Sequence, residues 1–181
     1  MRPTLEDLAA PLDGDIREVG GTLLTGHTAH GRGTRFQLLR RKSMGEITIR
    51  YRMKSDLLFW YRKGLGVANL KIDGHRLHKS LSSTGDSTFI PAGALVEGEY
   101  EVDRDCEYVV VSFEPSFVVD SLGTRLNQVL SGSNESVLRH GMDWLSREVE
   151  STDGAVSVFL DRHSPEGGRE KRRQSIHISS R

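Results

Sequence analysis

Between residues 46 and 113 the chain is a succession of short alternating runs, broken by glycine, proline and Asp-Gly. Glu46–Tyr51 (EITIRY) alternates apolar and polar, with Ile47 and Ile49 on one face. Leu57–Tyr61 (LLFWY) is aromatic and apolar, the composition of a buried strand. Gly66–Ile72 (GVANLKI) alternates again, and Asp73-Gly74 supplies the two central residues of a tight hairpin. His75–Leu81 runs outward from that turn. Ser87–Ile90 stops at Pro91, which has no N–H to give to a ladder. Leu95–Val102 and Glu107–Phe113 complete a set of about seven short strands. Close spacing with turn signals between the runs predicts a mainly β fold, an antiparallel barrel or jelly roll.

After Phe113 the period lengthens. Leu122, Leu126, Val129 and Leu130 recur at helical spacing. Ser133-Asn134-Glu135 offers caps for a second helix, in which Val137, Leu138, Met142, Leu145 and Val149 form one apolar stripe beside Trp144. Two amphipathic helices after a barrel must bury their faces on the barrel wall, on each other or on a second subunit. Leu126, Val129, Leu138, Met142, Leu145 and Val149 are the dimerisation candidates. The expected organisation is an N-terminal extension over 1–45, partly strand, then a barrel over 46–120. A helical dimerisation segment follows over 121–160. Residues 161–181 hold six Lys or Arg against three Asp or Glu and only Ile176 and Ile178 as aliphatics, which predicts a disordered basic tail.

The whole chain balances 25 basic against 25 acidic residues, so no global charge draws it to nucleic acid or to a membrane surface. The basic run Arg35–Lys42 has no helix-turn-helix pattern around it and reads as a solvated face or a strand end. No apolar run approaches the ~20 residues of a membrane span. With Cys106 the only cysteine, no intrachain disulfide can form. A cytoplasmic protein is the expectation, with no direct DNA contact and no membrane partner.

Gly85-Asp86-Ser87-Thr88-Phe89-Ile90-Pro91-Ala92-Gly93 matches the second cupin motif, and the preceding LLFWYRKGLGVANLKIDGHRL looks like the cupin order of strand, glycine turn, strand and hairpin. In metal-binding cupins a histidine follows that motif, and here Val96 stands in its place. The next ligand position is Tyr100. The first-motif glutamate falls on Leu57, and its histidines fall near Arg50 and Arg52. A divalent ion needs neutral imidazole or carboxylate, and arginine stays protonated. The resemblance therefore implies a cupin without metal or other cofactor.

The stretches FIPAGALVEGEYEVDRDCEYVVVSFEPSFV and ESVLRHGMDWLSREVES resemble the N-terminal effector-binding and dimerisation domain of AraC-type transcription regulators. Glu114-Pro115-Ser116-Phe117 matches that family's corner after the last barrel strand. The likeness covers residues 45–160. It implies an unknown small-molecule effector, a homodimer and, as a possible partner, a full-length regulator. The family carries two helix-turn-helix units after this domain, whereas here the likeness breaks off near Leu160-Asp161. The expectation is a regulator truncated or frame-shifted before its DNA-binding domain.

Alternation along LLFWYRK puts Leu58, Trp60 and Arg62 on one face and Leu57, Phe59 and Tyr61 on the other; which of the two is inside stays open. Trp60 with Arg62 as a polar anchor suits a small aromatic or acidic effector, and Trp60 as plain core is the competing reading. His75, His78 and Tyr100 complete the ligand-binding candidates. At i and i+3 of a strand the two histidines face opposite sides and do not share a metal. Glu97, Glu99 and Glu101 share one face, which like-charge repulsion keeps wet. A binding module has no catalytic residues. The alternative is a metal-independent isomerase or epimerase using His75, His78, Tyr100 or a barrel glutamate. No G-x-S-x-G nucleophile elbow is present.

Overall fold

The computed structural model describes residues 15–81, 85–132 and 136–151. The tail over 161–181 and the caps at Ser133-Asn134-Glu135 lie outside the described residues. The strands are β1 (Ile16–Val19), β2 (Thr22–Gly31), β3 (Thr34–Lys42), β4 (Gly45–Arg52), β5 (Asp56–Ile72), β6 (His75–Ser80), β7 (Ser87–Ile90), β8 (Val96–Phe113) and β9 (Leu130–Gly132). Helix α1 spans Pro115–Leu122, and α2 spans Ser136–Ser151. The strand pairings are all antiparallel among the described residues.

Two long strands organise the molecule. The second half of β8 pairs with β3 on one side and with the first half of β5 on the other. Its first half pairs with β4 and with the second half of β5. The ladder between β5 and β8 slips at Lys63 and Leu65, and bulges of this kind bend a sheet. One sheet is thus folded over on itself. Its near half is β2-β3-β8-β5-β7-β9 and its far half is β1-β4-β8-β5-β6, with β5 and β8 common to both. The fold is the antiparallel jelly roll that the alternating runs predict. LLFWY and GVANLKI, read in sequence as separate strands, are one strand bent at Gly64.

Gly64 makes the bend possible. Its φ is +75°, and a Cβ there would lie 1.9 Å from the backbone oxygen of Asp105. Neither obstacle is the end of a flexible side chain. Gly64→Ala is expected to cost about 3 kcal/mol from strain and collision together. Urea denaturation measures this, and an unchanged midpoint would mean that the two strands are not held this closely.

Strands β1–β3 run over residues that the sequence assigns to an N-terminal extension, yet they are hydrogen-bonded into the same sheet. The basic run Arg35–Lys42 is β3, flanked by β2 and β8. Phe36 and Leu38 are buried on one of its faces and Leu39 on the other.

Two apolar clusters follow. The inner one fills the space between the sheet halves and includes Leu39, Ile49, Phe59, Leu70, Val96 and Val110. The outer one lies between the near half and α2, where Phe36, Leu38, Trp60 and Val109 meet Met142 and Val149, with Leu138 and Leu145 half-buried beside them. The α2 stripe is therefore spent on its own barrel. Of the dimerisation candidates, Met142 and Val149 are buried there, Leu126 is half-buried and Val129 is exposed. The first helix also lies earlier than its apolar spacing predicts. Pro115 starts it, and Gly123, at φ 70°, ends it by donating its N–H to the Val119 carbonyl. Residues after Gly123 lead instead into β9, where Leu130 stands opposite Phe89 of β7.

Candidate functional site

The register decides which face looks inward. Leu57, Phe59 and Tyr61 stand opposite Ser112, Val110 and Tyr108 of β8, and Phe59, Tyr61, Tyr108 and Val110 belong to the inner cluster. A cavity of about 20 Å³ remains at the centre, lined among others by Ile49, Tyr51, Phe59, Tyr61, Tyr100 and Tyr108. That is room for about one water molecule.

The lining is apolar in area but carries phenol groups. The Tyr61 and Tyr100 hydroxyls are 2.7 Å apart and share a hydrogen bond. Their rings lie 5.6 Å apart at a 52° tilt. Tyr51 meets Phe59 edge-on at 5.5 Å. Arg41, buried on the inner face of β3, donates from Nε to the Tyr108 hydroxyl at 3.1 Å. Its Nη1 points at the carbonyls of Val19, Gly20 and Gly21, closest to Gly20 at 3.1 Å, which pins the β1–β2 turn to the barrel. Gln37, 1 % exposed, accepts from Arg17 Nη1 at 2.9 Å.

Burial pushes the Tyr61 phenol up to about 12 and raises Tyr100 and Tyr108 as well. It pushes the Cys106 thiol up to about 11. All four groups are neutral near pH 7. They are hydrogen-bonding groups fixed in an apolar wall, and a phenol that holds its proton this firmly makes a poor general base at that pH.

The sequence candidates divide. Tyr100 is inside. Leu58, Trp60 and Arg62 are not: they face outward beneath α2, because the inward face of this half of β5 belongs to Leu57, Phe59 and Tyr61. Trp60 is fully buried in the outer cluster. Arg62 lies 6.0 Å from the centre of its ring. The Arg62 guanidinium is 2.6 Å from Glu107 and 3.8 Å from Glu150 of α2, so it ties the helix to the barrel. His75 and His78 are exposed on β6. His78 Nδ1 lies 2.6 Å from Asn69 Oδ1. His75 edges an open groove with Ile72, Arg76, Pro91 and Val129. Among the described residues no three His, Cys, Asp or Glu side chains are grouped to hold a metal ion. The interior groups that sequence reasoning missed are Arg17, Gln37 and Arg41. The alternation of Arg35, Gln37, Leu39 and Arg41 along one face of β3 is the signal that carried Gln37 and Arg41, whereas Arg17 lies on β1.

Two sheet halves sharing β5 and β8, with the Pro91-Ala92-Gly93 turn leading into β8, enclose this interior. The fold is an antiparallel jelly roll. No protein-family model matches the chain, and no curated protein matches it. Solved structures similar to it include ToxT from Vibrio cholerae, an AraC-family protein, at 12 % identity and TM-score 0.47 over 65 % of this chain and 48 % of that one. A cupin domain from Bordetella pertussis is similar at 15 % identity and TM-score 0.37, over 52 % of this chain and 92 % of that one. Salicylate 1,2-dioxygenase from Pseudaminobacter salicylatoxidans is similar at 13 % identity and TM-score 0.34, over 55 % and 25 %. Among the described residues no helix is long and apolar enough to cross a membrane.

Proposed function

We propose that this chain is the small-molecule-sensing domain of an AraC-type transcription regulator, binding its effector inside the barrel and doing no chemistry on it. The observation that supports this most is the interior itself. It is apolar, its phenols and guanidinium are held by one another and by backbone, and the thiol that shares the lining, Cys106, is kept protonated by burial. The isomerase alternative asks for histidine and tyrosine together in the barrel, and His75 and His78 lie on its outside.

An effector larger than one water can enter only if the barrel opens. Binding then selects the open population, which is what a sensor requires. The sensor is proposed to act as a homodimer or beside a full-length regulator, with Val129 the exposed member of the dimerisation set. The test is a melting-temperature screen of small acids, phenols and sugars on the full chain, repeated on Tyr100→Phe. A saturable rise that weakens about tenfold in the variant is expected, from one lost hydrogen bond in a dry site. A compound turned over by the protein, or a hit indifferent to Tyr100→Phe, would remove this reading.

A further inference from the structure

Among the described residues, β1, β2, β6 and β9 each pair with a neighbour on one side only. A free strand edge is a row of unpaired N–H and C=O groups, and soluble proteins keep such rows short, charged or interrupted. Three of these edges obey that rule. β1 has four residues and carries Arg17 and Glu18. β9 has three residues. β6 carries Arg76 and Lys79. The edge of β2 is different. It runs for ten residues, TLLTGHTAHG, without a lysine, arginine, aspartate, glutamate or proline. Its ladder with β3 shifts register between Leu23 and Thr25, and from Thr25 to Gly31 it is regular.

Both faces of β2 are engaged within the barrel. Ala29 is packed in the outer cluster with α2, and Thr28 stands opposite Gln37 of β3, whose amide reaches its hydroxyl. The edge is what remains. Thr22, Leu24, Thr25 and His30 are exposed along it, and Leu24 is a large apolar side chain 36 % exposed.

The chemistry of this edge selects its partner. When a strand pairs antiparallel with its own copy, each residue faces another from the same short list. For β2 that list holds Thr, Leu, Gly, His and Ala, so no lysine, arginine or carboxylate meets its like at any register. β6 has Arg76 and Lys79 and no acid, so its own copy would repel it.

We propose that β2 is a homodimer interface, pairing antiparallel with β2 of a second copy so that two jelly rolls share one continuous sheet. This rests on the homodimer in the reading above and gives it a surface other than Val129. A contact of one strand edge is small, so the dimer forms and dissociates reversibly.

The test is sedimentation velocity on the full chain from low micromolar to sub-millimolar concentration, with backbone hydrogen exchange read on the same samples. Dimer is expected to accumulate with concentration, and the amides of 22–31 to exchange more slowly as it does, while those of β6 and β9 stay unchanged. Thr25→Glu places a carboxylate on an exposed edge position, opposite Arg40 within its own barrel. Two copies would bring two such carboxylates together. The variant should weaken the dimer about tenfold or more and abolish the protection of 22–31, with its low-concentration melting temperature kept.

A chain that stays monomeric throughout would overturn the interface. So would a dimer that leaves 22–31 unprotected, or one that Val129→Glu disrupts and Thr25→Glu does not. Protection of 22–31 that is equal at every concentration would also overturn it, because another part of the same chain would then cover the edge. Should Thr25→Glu fail to fold, exchange in the native chain decides alone. The sensing role fails separately, since the ligand screen with Tyr100→Phe reads the barrel interior whether the chain is monomer or dimer.

Discussion

Replacing Trp60 by alanine is expected to cost about 3–5 kcal/mol, the usual range for deleting a large buried aromatic side chain. That is a large share of a small domain's total stability. Trp60 has no exposed surface and sits where the near half of the sheet meets α2, among Phe36, Val109 and Met142. The deletion leaves a cavity under the helix and also removes the ring against which Arg62 lies. Trp60→Phe is expected to cost far less. It keeps most of the ring and discards an indole N–H that has no hydrogen-bond partner among the described residues. Urea denaturation followed by circular dichroism measures both. In Trp60→Ala the remaining tryptophan, Trp144 on α2, reports the helix alone by fluorescence. If alanine and phenylalanine cost the same, the site is not packed as described.

The second large effect is alkaline. An unfolded tyrosine titrates near pH 10. Burial raises Tyr61 to about 12 and raises Tyr100 and Tyr108 too. Below pH 10 these phenols are neutral whether the chain is folded or not, so their contribution to stability is fully present. Above pH 10 the unfolded chain releases protons that the folded chain keeps, and stability falls until the folded values are reached. Each phenol removes about 1.4 kcal/mol per pH unit in that window. Three together remove about 4 kcal/mol by pH 11, on the same scale as global stability. The urea midpoint should decline gently between pH 8 and 10, where the unfolded chain releases the Cys106 proton that burial holds up to about 11 in the folded chain, and then drop steeply, with phenolate absorbance appearing as the chain unfolds. With Cys106 adding a fourth raised group, Tyr100→Phe should lessen the slope above pH 10 by about a quarter. Phenolate appearing near pH 10 in a chain that keeps its midpoint would show that the tyrosines meet water.

Much of the far half and of the hairpins was legible in the sequence, because strand alternation and turn chemistry are local. Asp73-Gly74 closes the β5–β6 hairpin as its residue types require, with Asp73 at φ 46°. Pro91 ends β7, and Tyr100 lies in the interior. The inward face of LLFWYRK was not legible. Both of its faces are apolar, one for the barrel and one for α2, and only the pairing with β8, some fifty residues away, decides between them. That is why Trp60 and Arg62 attracted attention as ligand groups and turned out to hold a helix. The first helix was misplaced for a local reason. Leu122, Leu126, Val129 and Leu130 satisfy a helical spacing, but Pro115 and Gly123 are the stronger punctuation. Residues 1–45 were read as an extension that is partly strand, but not as three strands of the barrel sheet, because the β2–β3 ladder carries a register shift between Leu23 and Thr25. TLLTGHTAHG also mixes small and polar residues on both faces.

Strand β5 is a partition one backbone thick. Phe59 and Tyr61 stand in one room, Leu58 and Trp60 in the next. A guest that pushes on Phe59 from the chamber side leans on the peptide that seats Trp60 against Met142 and Val149. No relay of side chains is needed between occupant and helix. The message and the wall are the same object, and the shortest route from what the barrel holds to how α2 sits is the width of a single strand.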